Sequence, residues 1–348
     1  MILEMQKTMR ALYYPAHNEL SLEDLPIPDY AENEVLVKVE ACGICGSEIE
    51  TFNSKSSRRV PPLVMGHEFC GSITEVGSNV DGWLPGLKVV SNSLVSCGKC
   101  INCIDGKTNL CSGRQVFGMH RNGAFGMYVN VPASSLIGVP TGVSAKHLCM
   151  AEPLANGIHL VKLTQHIPIK NILVIGAGPI GLMAQQAFQA LRNCQTIVSD
   201  IRPERLEVAR KLGAAGVINP LTNDINEVIG NYTNGKPIDL VVDAVGNADT
   251  NTLGLNIVRP GGVLLIIGLH KNSNALFSYD IVLSEKSVMG SYAATQQDIE
   301  DAVALIASNR VDVSSWVNYY NIEDSKAAFF DMKEAKGSHI KSVIEFGE

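Results

Sequence analysis

The 348 residues predict an α/β fold in two parts, and three observations carry the prediction. Residues from about 8 to 155 read as short strands broken by Gly and Pro. From about residue 157, compact apolar strands alternate with longer helical patterns. The first of these later strands runs into a glycine-rich turn, Gly176, Gly178 and Gly181, spaced G-x-G-x-x-G.

Taken in order, EVLVKVEACGIC alternates apolar and polar positions, as a half-buried strand does, and GSITEVGSNV and GLKVVSNSLV repeat the pattern. Short strands at close spacing argue for a β-barrel-like first domain. NILVIG is then followed by PIGLMAQQAFQAL, and TIVSD by RPERLEVARKLGA, before GVIN, IDLVVDAVG and GGVLLIIGL. β-branched strands alternating with helices indicate βαβ units and a parallel sheet covered on both faces. After about residue 293 the texture changes again: DIEDAVALIASNR reads as an amphipathic helix and HIKSVIEF as a closing strand. This tail is expected to rejoin the first domain. The predicted division is 1–156 with 293–348, including a cysteine lobe at 92–113, and 157–292.

Composition narrows the function. The net charge is −7, and no long basic stripe accompanies it, which disfavours a nucleic-acid partner. No apolar run approaches the ~18 residues needed to cross a bilayer, and MILEMQKTMRALYYP has no apolar core followed by a small-residue cleavage site. A cytoplasmic protein is expected, so its nine cysteines are read as reduced thiols.

Four of them, Cys97, Cys100, Cys103 and Cys111, stand as C-x2-C-x2-C-x7-C in VSCGKCINCIDGKTNLC. Four close thiolates satisfy a tetrahedral Zn²⁺ and leave no open position, so this reads as a structural site. The loop is polar and rich in Gly and Lys, with no core to bury four unrelated thiols. Cys42, Cys70, Cys149 and Cys194 are read as small core residues.

The glycine turn follows an apolar strand and opens a helix, the context in which it cradles a dinucleotide pyrophosphate on the helix N-terminus. Asp200 ends the next strand and would accept bonds from ribose hydroxyls while repelling a 2′-phosphate, which favours NAD over NADP. Arg202 and Arg205 nearby pull the other way. Upstream, ACGICGSE and VMGHE offer Cys45, His67 and Glu68, a thiolate, an imidazole and a carboxylate suited to a second Zn²⁺, with Ser47 close by in sequence.

GICGSE, GHE, the four-cysteine lobe, GAFGMY, AEPLANGIH and VIGAGPIG resemble, in content and order, the zinc-dependent medium-chain dehydrogenases, and most closely their polyol branch. The resemblance spans essentially the whole chain. It implies a GroES-like catalytic domain, a Rossmann domain, NAD and two zinc ions per chain. It implies Cys45, His67 and Glu152 as catalytic zinc ligands, Glu68 as a movable ligand, and Ser47 as the hydroxyl that handles the substrate proton. Around the cofactor it implies Ile180, Asp200 and Arg205, with the backbone of Ile267, Gly268 and Leu269 seating the nicotinamide. Two positions depart from the family pattern. Glu48 stands where Asp is usual, and Glu50 where many members carry a His that completes proton exit.

The expected reaction is hydride transfer between a secondary hydroxyl of a sugar alcohol, phosphorylated or not, and NAD. The alternatives are a sugar-acid 5-dehydrogenase, another zinc alcohol dehydrogenase, or an NAD-binding sensor or structural protein. Lys55, Arg58 and Arg59, between Ser47 and His67 in sequence, are candidates for reading a phosphate or carboxylate on the substrate, or are a solvated loop. The resemblance also implies a homodimer or homotetramer, joined through the strand near GGVLLIIGL.

Overall fold

The computed structural model describes residues 8–270, 278–335 and 339–347. Residues 1–7, the first half of MILEMQKTMRALYYP, lie outside the described residues. No described helix is long and apolar enough to cross a membrane. The chain divides into two compact units, Met1–Glu152 with Thr295–Asn309 and Val313–Glu348, and Pro153–Ala294 with Arg310–Asp312.

In the first unit, Glu34–Gly43 is the organising strand. It pairs antiparallel with Glu68–Val76 on one side, and with Tyr128–Pro132 and Lys341–Glu345 along the other. Val35, Val37, Val39 and Cys42 point into a core with Leu12, Phe69, Phe125, Val131 and Ile344. The read closing strand is thus Lys341–Glu345, and its insertion beside Gly43 brings the C-terminal segment against the N-terminal strands. The four-cysteine lobe is small: strands Leu94–Val95 and Gln115–Val116 pair at its base, and short helical turns Ile101–Ile104 and Thr108–Leu110 form its body.

In the second unit, six parallel strands lie in the order Gly216–Ile218, Gln195–Ser199, Asn171–Ile175, Ile238–Asp243, Val258–Ile266, Ser287–Gly290. In chain order this is 3-2-1-4-5-6, the doubly wound topology, whose direction reverses between strands one and four. Ligands of such sheets bind outside the carboxyl ends of the strands at that reversal. Asn171–Ile175 is wholly buried and delivers the chain to Gly176 there. Arg310–Asp312 joins this unit, a detail the sequence division places elsewhere. Gln186 donates to the Asp312 carbonyl at 2.9 Å and accepts from its N–H at 2.7 Å, while Arg310 donates to the Ala190 carbonyl.

One expectation is corrected. The GGVLLIIGL strand is not an edge: Val258–Ile266 is paired on both sides, by Ile238–Asp243 and by Ser287–Gly290. Among the described residues the sheet ends on this side at Ser287–Gly290 and on the other at Gly216–Ile218.

Candidate active site

Helix Gly46–Ser54 follows strand Glu34–Gly43 after a two-residue link, Ile44 and Cys45, with Cys45 as its N-cap in extended conformation. Glu48, in its first turn, reaches back so that its Oε2 accepts the Cys45 N–H at 3.0 Å, which satisfies one of the donors a helix start leaves open. Its Oε1 accepts the Gly66 N–H at 2.8 Å and stands 3.0 Å from His67 Nδ1. A carboxylate can only accept, so the shared proton sits on Nδ1 and the Nε2 lone pair is left for a metal. Glu48 is 0% exposed. Burial pushes its carboxyl up, but His67, Arg59 and the Cys45 N–H outweigh this and hold it below the usual range.

Cys45, His67 and Glu68 offer ligand atoms that all lie within 4.8 Å of one another. Glu152, at the start of helix Ala151–Leu163, is buried beside them, with its Oε1 accepting from Ser93 Oγ at 2.7 Å. It is not part of the tight trio. Burial raises its carboxyl, as does Glu68, while His67 and Ser93 oppose. Ser47 is half-buried on the first helical turn and Glu50 is exposed on the same helix.

Glu68 begins its strand directly opposite Gly43, and Val343, two residues past Lys341, lies opposite Gly43 on the other side. Lys341 is 1% exposed and donates to the Ile44 carbonyl at 2.8 Å and to Glu68 Oε2. The two side chains meet over Gly43 because it has none: a Cβ there would lie 2.2 Å from Glu68 Oε2 and 3.2 Å from Lys341 Cε. Burial alone would lower the Lys341 pKa; Glu68, Cys45 and Cys149 together raise it above its ordinary 10.5. The sequence showed only a strand here, since a lone Lys in HIKSVIEF gives no hint of a partner far away in the chain. Ser93 was missed for the same reason.

The donor set fits a divalent ion. Cys45 as thiolate, Glu48, Glu68 and Glu152 supply four negative charges, and Arg59 and Lys341 two positive ones. The deficit of two is what Zn²⁺ brings while His67 stays neutral. Without a metal the same field falls on the imidazole: against burial, Glu48 and Cys45 raise His67 well above its ordinary 6.5.

In the lobe, Cys97, Cys100, Cys103 and Cys111 likewise gather within 4.8 Å. Cys100 and Cys103 sulfurs are 3.5 Å apart, Cys97 and Cys103 4.0 Å. A ZnS₄ tetrahedron with Zn–S of about 2.3 Å has edges of about 3.8 Å. Backbone N–H groups point at the sulfurs, Cys97 N to Cys111 Sγ at 3.3 Å, and those of Cys103 and Ser112 hold the Cys100 thiol down to about 6. The remaining Cys42, Cys70 and Cys149 are buried and Cys194 is half-buried.

At the glycine turn, Gly176 has φ +98°, and a Cβ on Gly181 would sit 1.7 Å from the Gly176 carbonyl oxygen, so the helix Pro179–Leu191 can start this close to the strand only with glycine there. Asp200 Oδ2 accepts the Ala177 N–H at 2.7 Å and Oδ1 the Arg202 N–H at 2.9 Å. Arg205 reaches under the turn, its Nη1 3.9 Å from where a Gly178 Cβ would be, and its Nε is buried without a partner. A cation with an unspent donor beneath a glycine turn suits a pyrophosphate. Ile180 is half-buried at the second residue of this helix. Ile267 and Gly268 N–H groups both donate to the Asp243 carbonyl, at 3.0 and 2.9 Å, and Leu269 is exposed beyond them.

Of the cation cluster, Lys55 and Arg58 are exposed and Arg59 is not: it is 0% exposed and bonded to protein carbonyls. Arg59 is therefore withdrawn from any role in reading substrate.

Comparisons with known proteins agree with this geometry. Residues 31–141 match the alcohol dehydrogenase GroES-like domain and residues 179–308 the zinc-binding dehydrogenase family. The chain is 31% identical to D-arabitol-phosphate dehydrogenase of Enterococcus avium, over 98% of each chain. It is 31% identical to sorbitol dehydrogenase of Bacillus subtilis, over 97% of each. A crystal structure of a zinc-binding dehydrogenase from Sinorhizobium meliloti, bound to NADP, superposes with TM-score 0.90 at 27% identity, covering 98% of this chain and all of that one. The chain belongs to the zinc-binding medium-chain dehydrogenases. Within them it is an oxidoreductase of the alcohol and polyol type, with a GroES-like and a Rossmann domain.

Proposed function

We propose that the chain transfers a hydride between a secondary hydroxyl of an unphosphorylated sugar alcohol and NAD. One zinc would be held by Cys45, His67, Glu68 and Glu152, and a second, structural one by Cys97, Cys100, Cys103 and Cys111. The trio of half-buried Cys45 with buried His67 and Glu68, together with its neutralising shell, carries this reading. When bound, zinc supplies Lewis-acid polarisation of a hydroxyl and the dinucleotide supplies the hydride acceptor.

The chain's own residues do the rest. Glu48 fixes the His67 ring and the start of the helix, so Cys45 and Nε2 keep one geometry. Ser47 takes the substrate proton at its Oγ; with Glu50 exposed rather than a buried relay, the proton then leaves to water. Glu68 is tethered by Lys341 through Oε2, so its other oxygen is the one that would be offered to the ion. Gly176, Gly178 and Gly181, with Ile180, Asp200 and Arg205, hold the dinucleotide, and Ile267, Gly268 and Leu269 seat its nicotinamide.

Arg59 being unavailable, Lys55 stands past the far end of a nine-residue helix, about 13 Å along its axis from Cys45, and Arg58 is exposed on the segment by which Arg59 returns to that helix. The engagement of Arg59 with protein carbonyls and the distance of Lys55 favour a free polyol over its phosphate ester, although the relatives named above include one of each. A dinucleotide-coupled screen of alditols, their phosphates and sugar acids, with and without chelator, tests the reading. Free alditols are expected to turn over best, with activity lost to chelation. Higher efficiency on a phosphate ester or a sugar acid would replace the substrate assignment.

Asp200 supports NAD, since its oxygens keep lone pairs for ribose hydroxyls and would repel a 2′-phosphate. Asp200→Ala is expected to erode the preference for NAD over NADP by about 10- to 100-fold, the worth of a charged hydrogen bond, in kcat/KM ratios. A homodimer or homotetramer is the proposed assembly, with Ser287–Gly290 as the pairing edge. Tyr279, Val282, Leu283 and Val288 are exposed around it. Light scattering in solution tests this; a monomer would remove it.

A further inference from the structure

Arg59 is a buried cation near the candidate ligand cluster that the chemistry above uses only as a balancing charge. It follows helix Gly46–Ser54 in sequence and folds back onto that helix's first turns. Its Nη1 donates to the Ser47 carbonyl at 2.9 Å and to Thr51 Oγ1, and its Nε to the Gly118 carbonyl at 2.5 Å. Thr51 Oγ1 in turn lies 2.8 Å from the Ser47 carbonyl and 3.3 Å from that of Glu48. Nη2 is buried without a hydrogen-bond partner.

This is an unfavourable place for a guanidinium. It is fully desolvated, and the N-terminal end of a helix dipole repels a cation. Backbone carbonyls offset only part of that, and the unpartnered Nη2 shows that the bonds do not saturate it. What lies beside it is a buried carboxylate, Glu48, whose own bonds run to Cys45, Gly66 and His67. Arg59 thus grips the turn from which Cys45, Ser47 and Glu48 all project.

We propose that Arg59 is a positioning residue for the metal centre: it braces the first turn of this helix and balances the charge of Glu48, so that Cys45 and His67 are held in register for the ion. The proposal rests on the reading of Cys45, His67 and Glu68 as metal ligands, and the test separates the two.

The test follows the rate at which each metal leaves the folded holoenzyme in excess chelator, by a chromogenic indicator, for wild type and for Arg59→Met, Arg59→Lys and Thr51→Val. Outer-layer partners of metal ligands are worth about 10- to 100-fold in affinity, so Arg59→Met is expected to release one metal per chain about that much faster, with the other unchanged. Arg59→Lys keeps the charge and one donor and should recover part of the loss. Thr51→Val, which leaves Arg59 in place and removes only the bridging hydroxyl, should accelerate release by about 2- to 10-fold and serves if Arg59→Met does not fold. A merely structural Arg59 would lower the melting temperature without moving the release rate of either metal, and that result overturns the proposal. A wild-type chain that carries only the lobe metal overturns the ligand reading itself.

Discussion

Cys97, Cys100, Cys103 and Cys111 come from one short stretch, and the sulfurs are supported by backbone N–H groups of the same stretch. Cys45, His67, Glu68 and Glu152 come from the end of one strand, the start of another and a helix well over eighty residues on, and are supported by Glu48, Ser93, Arg59 and Lys341. The first cluster grades from exposed Cys97 through half-buried Cys100 and Cys103 to buried Cys111, and its charge would be met by an ion and solvent; the second, buried but for half-buried Cys45, carries its own compensating charges. The contrast follows from what each must do. A closed tetrahedron needs only chain geometry, while a site with a position open to substrate needs groups that fix the ligands from behind.

The contrast is broken most forcefully at the ligands. His67→Ala is expected to remove one metal per chain and at least about 1000-fold of kcat/KM, since the ion supplies several kcal/mol of charge stabilisation. The lobe metal should stay. Cys100→Ser should do the reverse, losing the lobe metal and thermal stability while the molecules that remain folded keep most of their turnover. Metal analysis beside steady-state kinetics checks both; a matching loss of turnover in the two variants would mean the lobe is not separate from the chemistry.

Next in size is the buried pair. Lys341→Met leaves Glu68 charged and without its ammonium, which for buried pairs is destabilising by about 3–5 kcal/mol. Adding Glu68→Gln should recover most of it, as removing both charges leaves neither stranded. Denaturant unfolding of the metal-free protein measures this. Because Lys341 is held above its ordinary 10.5, its contribution is complete below that pH and fades only as pH rises through the raised value. Lys341's own part of the gap between wild type and Lys341→Met should therefore not fade below about pH 9.

The lobe and the glycine turn were legible because their chemistry is contiguous. Cysteine spacing and G-x-G-x-x-G after a strand are statements about neighbours in sequence. The alternation of strands and helices was legible for the same reason, and a parallel sheet covered on both faces followed from it, while the strand order did not. Lys341, Ser93 and the true place of Arg59 were not. Each acts through a partner brought near only by strand pairing or a returning loop, and Lys341 depends on Gly43, a position whose role is to be empty. Three cations in one loop invited a surface reading, but nothing in RRVPP says that the second Arg turns inward. The edge strand was misplaced because Ser287–Gly290 is short and weakly apolar, so the longer Val258–Ile266 drew attention.

The smallest effects sharpen the comparison furthest, because they compare like with like. Ser93→Ala and Asn102→Ala each delete one neutral donor, to Glu152 Oε1 at 2.7 Å in the buried cluster and to the Leu110 carbonyl at 2.7 Å in the lobe. The first takes one hydrogen bond from a buried carboxylate and should weaken retention of that metal by about 10-fold. The second lies on an exposed surface where water replaces the lost donor, so the lobe should lose no more than about 1 kcal/mol of stability and none of its metal. Chelator competition on the two variants reads both numbers. Equal sensitivity would mean that the lobe, too, relies on side chains set behind its ligands, and the distinction between chain-built and shell-built sites would fail.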